Sequence, residues 1–445
     1  MHTTINVKKG LDIKLNGAAE INIEREIVPL SCAIVPEDFP GITPKVDVKE
    51  GDVIVMGATL YHDKTFPDIK VTSPISGTIT TVQRGERRRL ERIVIIPESG
   101  DEIVFDHKNI DDRTRAQQLL LDSGLWAYMR QRPNNIVPRP GVTPRDIFIT
   151  GFDSAPLAPD YEPTLAGKLD ELNAAVKLLQ RLTDGHIYIG IRNGSILEQV
   201  NGADIVVVDG PHPAGNVGIQ ICNISPVNKG DVVWTMDAIT LLRIGHLATT
   251  GKLDMSAKIA LTGCEVSNPH YIKTIVGCDI ASLVKGEIKN DGVHHRIISG
   301  NVLTGSPVSE TDYLRFPYTQ ISVIPEGDDN AEFMGWASMS PKKMSISPSF
   351  PGHFSKRNFC PDARILGGRR AMIMSCVYDK VLPMDILPEY LIKAILSRNL
   401  ERMEELGIYE VAPEDFALCE FVDPSKLELQ KIVQEGLDYI QKELN

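Results

Sequence analysis

Several features that mark common protein classes are missing from this sequence. No stretch of the 445 residues approaches the about 18 consecutive apolar residues of a membrane span, and the amino terminus lacks the apolar core of a signal peptide. Basic residues number 47 against 59 acidic ones, so the overall field repels phosphate and disfavours nucleic acid as a main partner. We therefore expect a cytoplasmic protein without a transmembrane segment.

Cysteine is sparse and widely spread. The seven cysteines include no pair two or three residues apart, which excludes a disulfide framework and the ordinary ligand sets of zinc or iron-sulfur centres. We expect these side chains to be buried or reduced, with no chemical role. They are Cys32, Cys222, Cys264, Cys278, Cys360, Cys376 and Cys419.

Familiar catalytic and nucleotide-binding motifs are also absent. The chain has no Walker loop, no Gly-x-Gly-x-x-Gly fingerprint, no Gly-x-Ser-x-Gly elbow and no Cys-His signature, so we predict no catalytic residue in it. His270 and the pair His294-His295 would hold a metal only if distant ligands joined them. We therefore predict no metal site.

The stretch 204–234 lies in the middle of the chain, and the other segments are interpreted as additions before and after it. Ile205 to Val208 is a continuous β-branched run, typical of a buried central strand in a covered sheet. A loop rich in glycine and proline follows, and His212 is its only titratable side chain. Asp153 follows an earlier strand, so we expect it to meet His212 at the carboxyl edge of the sheet, with Gly215 and Gly218 in the same ligand loop. The preferred interpretation of this loop is a rigid turn, because glycine and proline at such density usually set chain geometry, and a ligand-binding role is the alternative.

The length of the chain and its 42% hydrophobic content predict several domains in an α/β multidomain architecture. We place the first at 1–105, because residues 45–82 resemble the barrel-sandwich hybrid of biotinyl and lipoyl domains. Lys64 stands near the position of a modified lysine, but its spacing from Ser73 departs from that pattern, and we predict that it is unmodified. The arginine-rich segment 84–92 is interpreted as a hairpin turn, with a docking spot as the alternative.

A Rossmann-like α/β domain is predicted at 106–256. Asp111 or Asp112 is expected to begin a helix, and residues 146–150 and 186–191 are expected to form strands around a helix at 163–182. A further helix is predicted within 236–247.

The last two domains are predicted at 257–335 and 336–445. The first of them resembles a β-grasp module of the soluble-ligand-binding kind, with a helical segment at 271–286. The second is predicted to be helical, because apolar residues recur on one face of 388–406 and because Asp423-Pro424 is a plausible start for a closing helix.

Long motifs in a fixed order carry a family resemblance along nearly the whole chain. The motifs are SGLWAYMRQRPNNIVP (123–138), FITGFDSAPLAPD (148–160), KLLQRLTDGHIY (177–188), GPHPAGNVG (210–218), RIISGNVLTG (296–305), RRAMIMSCVYDKVLPMDILP (369–388) and EDFALCEFVDPSK (414–426). Together they resemble the NqrA family, one of the subunits of the sodium-translocating NADH:quinone reductase (the Na⁺-NQR complex).

This resemblance implies a peripheral subunit on the cytoplasmic side of the bacterial inner membrane. Its complex passes electrons from NADH to ubiquinone and exports Na⁺, with NADH, flavins and an iron-sulfur cluster bound in other subunits. The α/β domain is also similar to the flavoprotein subunit of complex I. We expect this subunit to be cofactor-free, with a docking role and a role related to ubiquinone. The alternative is an NADH- or flavin-binding dehydrogenase module of an Rnf-like complex.

The sequence departs from the family at three places. The segment 219–223 replaces an expected histidine-rich stretch, and Ile408 and Asp423 replace expected cysteines. Other subunits of the complex, including an integral membrane subunit, are the expected partners. We expect them to contact residues 73–92 and the segment after Phe350, because such surfaces carry exposed apolar or basic side chains.

Overall fold

The computed structural model of the protein describes residues 3–108, 110–328, 337 and 339–444. These residues form four β-sheets with helices packed on them. Strands and helices are numbered separately in chain order. The predicted boundary between residues 335 and 336 lies outside the described residues, and the domain boundaries as a whole remain predictions.

The α/β sheet has six strands, and five of them are parallel. The sixth, β10, is a short edge strand that runs antiparallel to its neighbour. The order across the sheet is β1 (Thr3–Asn6), β13 (Asp204–Asp209), β12 (Ile187–Ile191), β11 (Asp146–Thr150), β14 (Val233–Asp237) and β10 (Arg130–Arg132). Parallel strands are covered on both faces, which accounts for the apolar runs in β11 to β13.

One expectation about this sheet needs correction, and one of its strands was not predicted. The run Ile205 to Val208 forms an interior strand, but β11 and β12 occupy the middle of the sheet and β13 lies one place from the edge. The edge strand on the β13 side is β1, and its residue Ile5 pairs with Val208 of β13. Residues 3–6 therefore belong to the α/β sheet. The local sequence pattern does not predict their pairing with β13.

Helices cover both faces of this sheet. They are α1 (Arg113–Ser123), α2 (Glu162–Leu165), α3 (Leu169–Leu179), α4 (Val217–Ile224) and α5 (Ala238–Thr250). Asp112 caps α1 by accepting a hydrogen bond from the Arg115 amide, as the sequence predicts. The predicted helix at 163–182 is divided into α2 and α3, because Gly167 has a φ of +75° and interrupts the helical path.

Two small sheets form the barrel-sandwich part. One contains β3 (Cys32–Ile34), β9 (Leu90–Pro97), β8 (Gly77–Arg84) and β5 (Val53–Ile54), and the other contains β4 (Pro44–Val46), β6 (Thr59–Asp63) and β7 (Lys70–Thr72). Lys64 is exposed just after β6, where its amide bonds to the Thr43 carbonyl. The arginine-rich segment forms the β8–β9 hairpin turn, which confirms the preferred interpretation of it.

A mixed six-stranded sheet follows the α/β part. Its order is β18 (Ser306–Val308), β17 (His295–Ser299), β19 (Gln320–Pro325), β15 (Ser256–Thr262), β16 (His270–Ile275) and β2 (Glu20–Glu26). The predicted helical segment 271–286 is wrong in its first half, which is β16. Ile272, Thr274 and Ile275 are β-branched and favour a strand, and only α6 (Ile280–Val284) is helical.

The chain closes with α7 (Pro388–Leu396), α8 (Leu400–Glu405), α9 (Ala417–Val422) and α10 (Leu429–Leu444). These helices share a core with Val206, Val208 and Ile219 of the α/β part. The predicted closing helix begins later than expected, at Leu429. The carboxylate of Asp423 instead accepts hydrogen bonds from the amides of Ser425 and Leu427 in the preceding turn.

The cysteine prediction also needs correction. Cys264 and Cys360 form a disulfide across 96 positions of sequence, with their Cα atoms 5.7 Å apart. Cys376 is exposed and Cys222 is half-buried, whereas Cys32, Cys278 and Cys419 are buried as expected. Sequence spacing missed the disulfide because Cys264 follows β15 and Cys360 lies in a segment after the mixed sheet, and only the fold brings these segments together.

Candidate functional site

The candidate site is a cavity of about 210 Å³ between the carboxyl ends of the parallel strands and the mixed sheet. Thr150 at the end of β11 and Asp237 at the end of β14 form one wall, while Gly300 and Gln320 come from the mixed sheet. The cavity therefore lies where open α/β sheets commonly bind ligands. We call it the sheet-end cavity.

Three of the four predicted site residues line this cavity, namely His212, Asp153 and Gly215. Gly218 lies beside it in α4 and packs against the Asp415 carboxylate, so that an added Cβ would collide with that group. Gly215 packs in the same way against Ser154, whose amide nitrogen lies 2.6 Å from the position of an added Cβ. Both glycines thus serve close packing of the chain rather than the approach of a phosphate.

His212 is the best-defined polar group of the site. Its side chain is only 3% exposed, and its Nδ1 lies 3.0 Å from Ser154 Oγ. Ser154 Oγ also accepts a hydrogen bond from the Gly215 amide at 2.8 Å, so its own hydrogen is available to His212 Nδ1. In that arrangement the imidazole proton is on Nε2, which has no hydrogen-bond partner among the described residues.

Burial keeps His212 neutral. Removal from solvent lowers the pKa of His212 to about 4, against the opposing attraction of the nearby Asp12 carboxylate. Asp12 also fixes the loop, because its carboxylate accepts a hydrogen bond from the His212 amide at 2.9 Å. His212, which lines the cavity, therefore holds a neutral imidazole whose N–H donor is buried and has no partner among the described residues.

Acidic side chains gather on the same wall as β14. Burial raises the pKa of Asp153, and the neighbouring Asp237 raises it further. The phenol of Tyr161 has its pKa raised well above the usual range by burial and then by the same two carboxylates. Asp237 also caps α5 through the Thr240 amide, at 2.6 Å. This corner of the cavity disfavours an additional negative charge.

A cationic side chain and aromatic rings also line the cavity. Burial lowers the pKa of Arg130 to about 10, and its guanidinium lies 5.5 Å from the centre of the Phe316 ring. Tyr128 packs edge-on against Phe316, with ring centres 4.5 Å apart. Gln320 is buried, and its Oε1 has no hydrogen-bond partner among the described residues. The residues that line the cavity therefore include aromatic rings, a residue with a buried unpartnered donor and a residue with a buried unpartnered acceptor.

Sequence reasoning missed several of these residues. Ser154 adjoins Asp153 and was within reach of a local argument, but Asp12, Arg130 and Gln320 belong to distant segments. The histidines considered for metal binding lie elsewhere. His270 Nδ1 is 2.6 Å from the Asn268 carbonyl oxygen, and exposed His294 contacts Asp328 at 2.7 Å.

The residues at which the sequence departs from the family lie away from the sheet-end cavity. Residues 219–223 form the middle of α4, a helix that the sequence pattern did not indicate. Ile408 and Asp423 are buried in the carboxyl-terminal part. None of these residues lines the sheet-end cavity.

Three family profiles match the chain. They are described as the NqrA N-terminal barrel-sandwich hybrid domain over residues 5–98, the NqrA second alpha/beta domain over 111–253 and the NQRA C-terminal domain over 258–310. These matches confirm the expected barrel-sandwich and α/β parts. Among the described residues, no helix is both long enough and apolar enough to cross a membrane.

Full-length relatives agree with these matches. Proteins from Serratia proteamaculans (strain 568) and Pasteurella multocida (strain Pm70), both named as a subunit of the Na(+)-translocating NADH-quinone reductase, are 37% and 36% identical to this chain. Each similarity covers 99% of this chain and 100% of the relative. A solved NAD⁺-reducing [NiFe]-hydrogenase chain is 14% identical over 51% of this chain and 49% of its own length, with a TM-score of 0.36, which is too low to support an inference. The chain belongs to the NqrA family of Na(+)-translocating NADH-quinone reductase subunits.

Proposed function

We propose that the protein is a peripheral, cofactor-free subunit of a complex that couples reduction of ubiquinone by NADH to Na⁺ export. Its place would be on the cytoplasmic side of the bacterial inner membrane, docked to an integral membrane subunit. Support comes from relatives that are named as subunits of this reductase and match the chain over its full length. The alternative of an Rnf-like dehydrogenase module is not favoured by these relatives.

Within this role, the sheet-end cavity is proposed to hold the quinone headgroup. The observation that carries this proposal is the state of His212: Ser154 engages Nδ1, burial keeps the ring neutral, and Nε2–H has no partner among the described residues. A quinone carbonyl is a neutral acceptor and would satisfy that donor without bringing in charge. The Oε1 atom of Gln320 would accept a hydrogen bond from a hydroxyl group of the reduced quinol.

Cavity size and charge favour a small neutral ring over a nucleotide cofactor. A volume of about 210 Å³ is smaller than the roughly 300–1,000 Å³ of pockets that hold drug-sized ligands. Asp153 and Asp237 share one corner of the cavity and would repel a flavin or dinucleotide phosphate placed there. Gly215 and Gly218 are packed against side chains and leave no phosphate cradle.

Binding of a short-chain ubiquinone to the purified full-length chain tests the headgroup proposal. Isothermal titration should give one site per chain, and the Gln320→Ala variant should bind more weakly because one polar contact is lost. Absence of binding by the wild-type chain at saturating quinone would contradict the proposal. An absorbance spectrum of the same sample tests the cofactor-free role, which a stoichiometric flavin or iron-sulfur band would overturn.

Of the two predicted docking regions, the segment after Phe350 is proposed to form the main contact with the other subunits. Large apolar side chains are exposed there in unusual density, and such surfaces commonly mark protein interfaces. The tip of the β8–β9 hairpin, Gly85 to Arg89, would add positive charge, whereas Ser73 at the start of that segment is buried. The exposed side chains are Phe354, Ile365, Leu366, Ile373, Met374, Leu387, Tyr390 and Leu396.

A pair of matched variants tests the docking surface. Phe354 and Val53 are 71% and 74% exposed, and only Phe354 belongs to the proposed surface. Phe354→Asp should reduce the amount of this chain that co-purifies with the other subunits, whereas Val53→Asp should not. Equal co-purification of the two variants would remove this surface from the proposal.

A further inference from the structure

A second cluster of chemically active side chains contains no residue that lines the sheet-end cavity. Cys264 and Glu265 follow β15, Cys360 comes from the segment after the mixed sheet, and His295 begins β17. Backbone hydrogen bonds fix these segments, from the Glu265 amide to the Val323 carbonyl at 3.3 Å and from the Lys289 amide to the Glu265 carbonyl at 3.0 Å. We call the four residues Cys264, Glu265, Cys360 and His295 the sulfur–carboxylate cluster.

Glu265 is the centre of the cluster. The residue is 7% exposed, its Oε1 lies 3.7 Å from Cys360 Sγ, and its Oε2 lies 3.3 Å from His295 Nδ1. The ligand atoms of Cys264, Glu265 and Cys360 lie within 4.8 Å of one another, and so do those of Glu265, Asp291 and His295. The fold therefore brings possible metal ligands from distant segments to His295. Such ligands are the requirement that the sequence predicts for metal binding by this histidine.

The polarity of His295 leaves an unbalanced contact at Glu265. His295 Nε2 lies 3.1 Å from the Lys289 carbonyl oxygen, an acceptor, so this nitrogen carries the proton. In the neutral ring, Nδ1 then presents a lone pair to the Glu265 carboxylate. Neither Glu265 Oε2 nor His295 Nδ1 has a hydrogen-bond partner among the described residues. With the ring neutral, these are two facing acceptors in a buried position, and a cation between them would satisfy both.

We propose that reduction of the Cys264–Cys360 disulfide creates a binding site for Zn²⁺ or a similar divalent transition metal. The two thiolates and the Glu265 carboxylate are its ligands, and His295 Nδ1 completes the set. Sulfur, imidazole and carboxylate together suit zinc, which prefers four such ligands in a tetrahedron.

The distances already present suit this set. With Zn–S near 2.3 Å and Zn–O and Zn–N near 2.0–2.2 Å, tetrahedral geometry places sulfur and oxygen ligands about 3.6 Å apart and oxygen and nitrogen ligands about 3.3 Å apart. The observed separations are 3.7 Å from Glu265 Oε1 to Cys360 Sγ and 3.3 Å from Glu265 Oε2 to His295 Nδ1, so the carboxylate lies between the sulfur atoms and the imidazole. Two movements are required: separation of the two sulfur atoms to about 3.8 Å after their bond is broken, and side-chain rotation that brings one Glu265 oxygen and His295 Nδ1 to the same metal ion.

The redox step is balanced by an external dithiol. The dithiol gives two electrons and two protons to the disulfide, becomes a disulfide itself and leaves Cys264 and Cys360 as thiols. The metal ion then displaces the two thiol protons and binds the thiolates. Exposed Cys360 offers the sulfur atom that a dithiol attacks, whereas Cys264 is buried.

Cobalt(II) is a suitable probe, because thiolate ligation gives it a charge-transfer absorption that oxygen and nitrogen ligands do not. The full-length chain, reduced with a phosphine and kept anaerobic, should bind one Co²⁺ with this absorption, and excess Zn²⁺ should displace it. The oxidised chain should show no such absorption. This comparison uses one polypeptide, so it is independent of whether any variant folds.

Variants assign the ligands. Cys264→Ser with Cys360→Ser should abolish the thiolate absorption, and Glu265→Gln and His295→Ala should each weaken Co²⁺ binding at least about tenfold. Cys376→Ser removes an exposed thiol outside the cluster and should change nothing. The proposal is overturned if the reduced wild-type chain binds no Co²⁺, if it binds Co²⁺ without thiolate absorption, or if the double cysteine variant keeps that absorption.

Discussion

Ser154 Oγ lies 3.0 Å from His212 Nδ1 and at the same time accepts the Gly215 amide at 2.8 Å. This hydroxyl joins the loop after β11 to the loop after β13, and it determines which imidazole nitrogen keeps the proton. The chemistry proposed for the sheet-end cavity depends on this relationship, because the free Nε2–H of His212 exists only while Nδ1 accepts from Ser154.

Removal of that hydroxyl should affect both stability and quinone reduction. Ser154→Ala leaves the Gly215 amide and His212 Nδ1 without their partner, and an unsatisfied buried polar group costs about 1–3 kcal/mol. We expect the free energy of unfolding to fall by that amount and the KM for quinone to rise, because the imidazole is free to change tautomer. Urea unfolding and steady-state kinetics of the assembled complex measure the two effects.

Ser397 provides the control for this experiment. Its hydroxyl is on an exposed residue and donates to the Ala394 carbonyl at 3.0 Å, at the carboxyl end of α7. Ser397→Ala should change the free energy of unfolding by no more than about 0.5 kcal/mol. If the two serine variants behave alike, Ser154 does not hold His212 as described.

Acid should weaken the fold through His212. Its pKa is about 4 in the folded chain against about 6.5 in the unfolded chain, so between these values only the unfolded chain binds the proton. The stabilisation from the neutral ring is therefore complete above about pH 6.5 and is lost as pH falls towards 4. At about pH 5 the loss reaches about 2 kcal/mol.

The measurement is urea unfolding of wild-type chain and His212→Gln at about pH 7.5 and about pH 5. Glutamine does not titrate, so the difference in unfolding free energy between wild type and variant should shrink by about 2 kcal/mol at the lower pH. Subtraction of the variant removes contributions of other groups, such as Asp38, whose pKa burial raises to about 6. A difference that does not change with pH would show that His212 is not buried in neutral form.

A buried ion pair fastens the carboxyl-terminal helices to the α/β part. Arg132 donates to Asp415 at 2.8 Å and to Glu414 at 2.6 Å, and the Arg132 and Asp415 side chains are 1% and 0% exposed. Burial alone would lower the pKa of Arg132, but the two carboxylates outweigh it and raise the pKa. The guanidinium therefore stays charged and requires both partners.

Asp415→Ala should destabilise the protein by about 3–5 kcal/mol, because it leaves a buried charge only partly compensated. The control is Glu405→Ala, which breaks the exposed pair between Glu405 and Arg402 at 2.9 Å and should cost less than about 1 kcal/mol. Thermal or urea unfolding of both variants checks this prediction. Similar losses in the two variants would contradict it.

The sequence predicts the local parts of this structure well. Asp112 caps a helix and residues 146–150 form a buried strand because neighbouring residues determine both features. The meeting of His212, Asp153 and Gly215 was also predictable, since the carboxyl ends of parallel strands share one edge. Gly218 lies beside the cavity because it belongs to α4, a helix that the local pattern did not indicate.

The remaining features depend on contacts between distant segments. Asp12 reaches the His212 loop from the amino terminus, and Gln320 reaches the cavity from the mixed sheet. The disulfide between Cys264 and Cys360 and the strand that residues 3–6 add to the α/β sheet have the same origin. No local pattern encodes which segments meet, because the choice is made by burial of apolar surface over the whole chain.

The quinone proposal depends above all on one hydrogen bond, from His212 to the headgroup. Steady-state kinetics of complexes containing His212→Ala give the sharpest test of that bond, with His186→Ala as the control. His186 is another histidine of the same sheet, but it is exposed and contacts Asp204 at 2.8 Å outside the cavity. Both complexes are first checked for assembly and for NADH oxidation with an artificial acceptor.

We expect His212→Ala to lower kcat/KM for ubiquinone about tenfold or more, since loss of one buried hydrogen bond is worth about 1.5 kcal/mol. NADH oxidation by the artificial acceptor should stay at the wild-type rate, and His186→Ala should match wild type in both assays. A His212→Ala complex that assembles and reduces ubiquinone with wild-type kcat/KM would refute the hydrogen bond and place the quinone site outside this cavity.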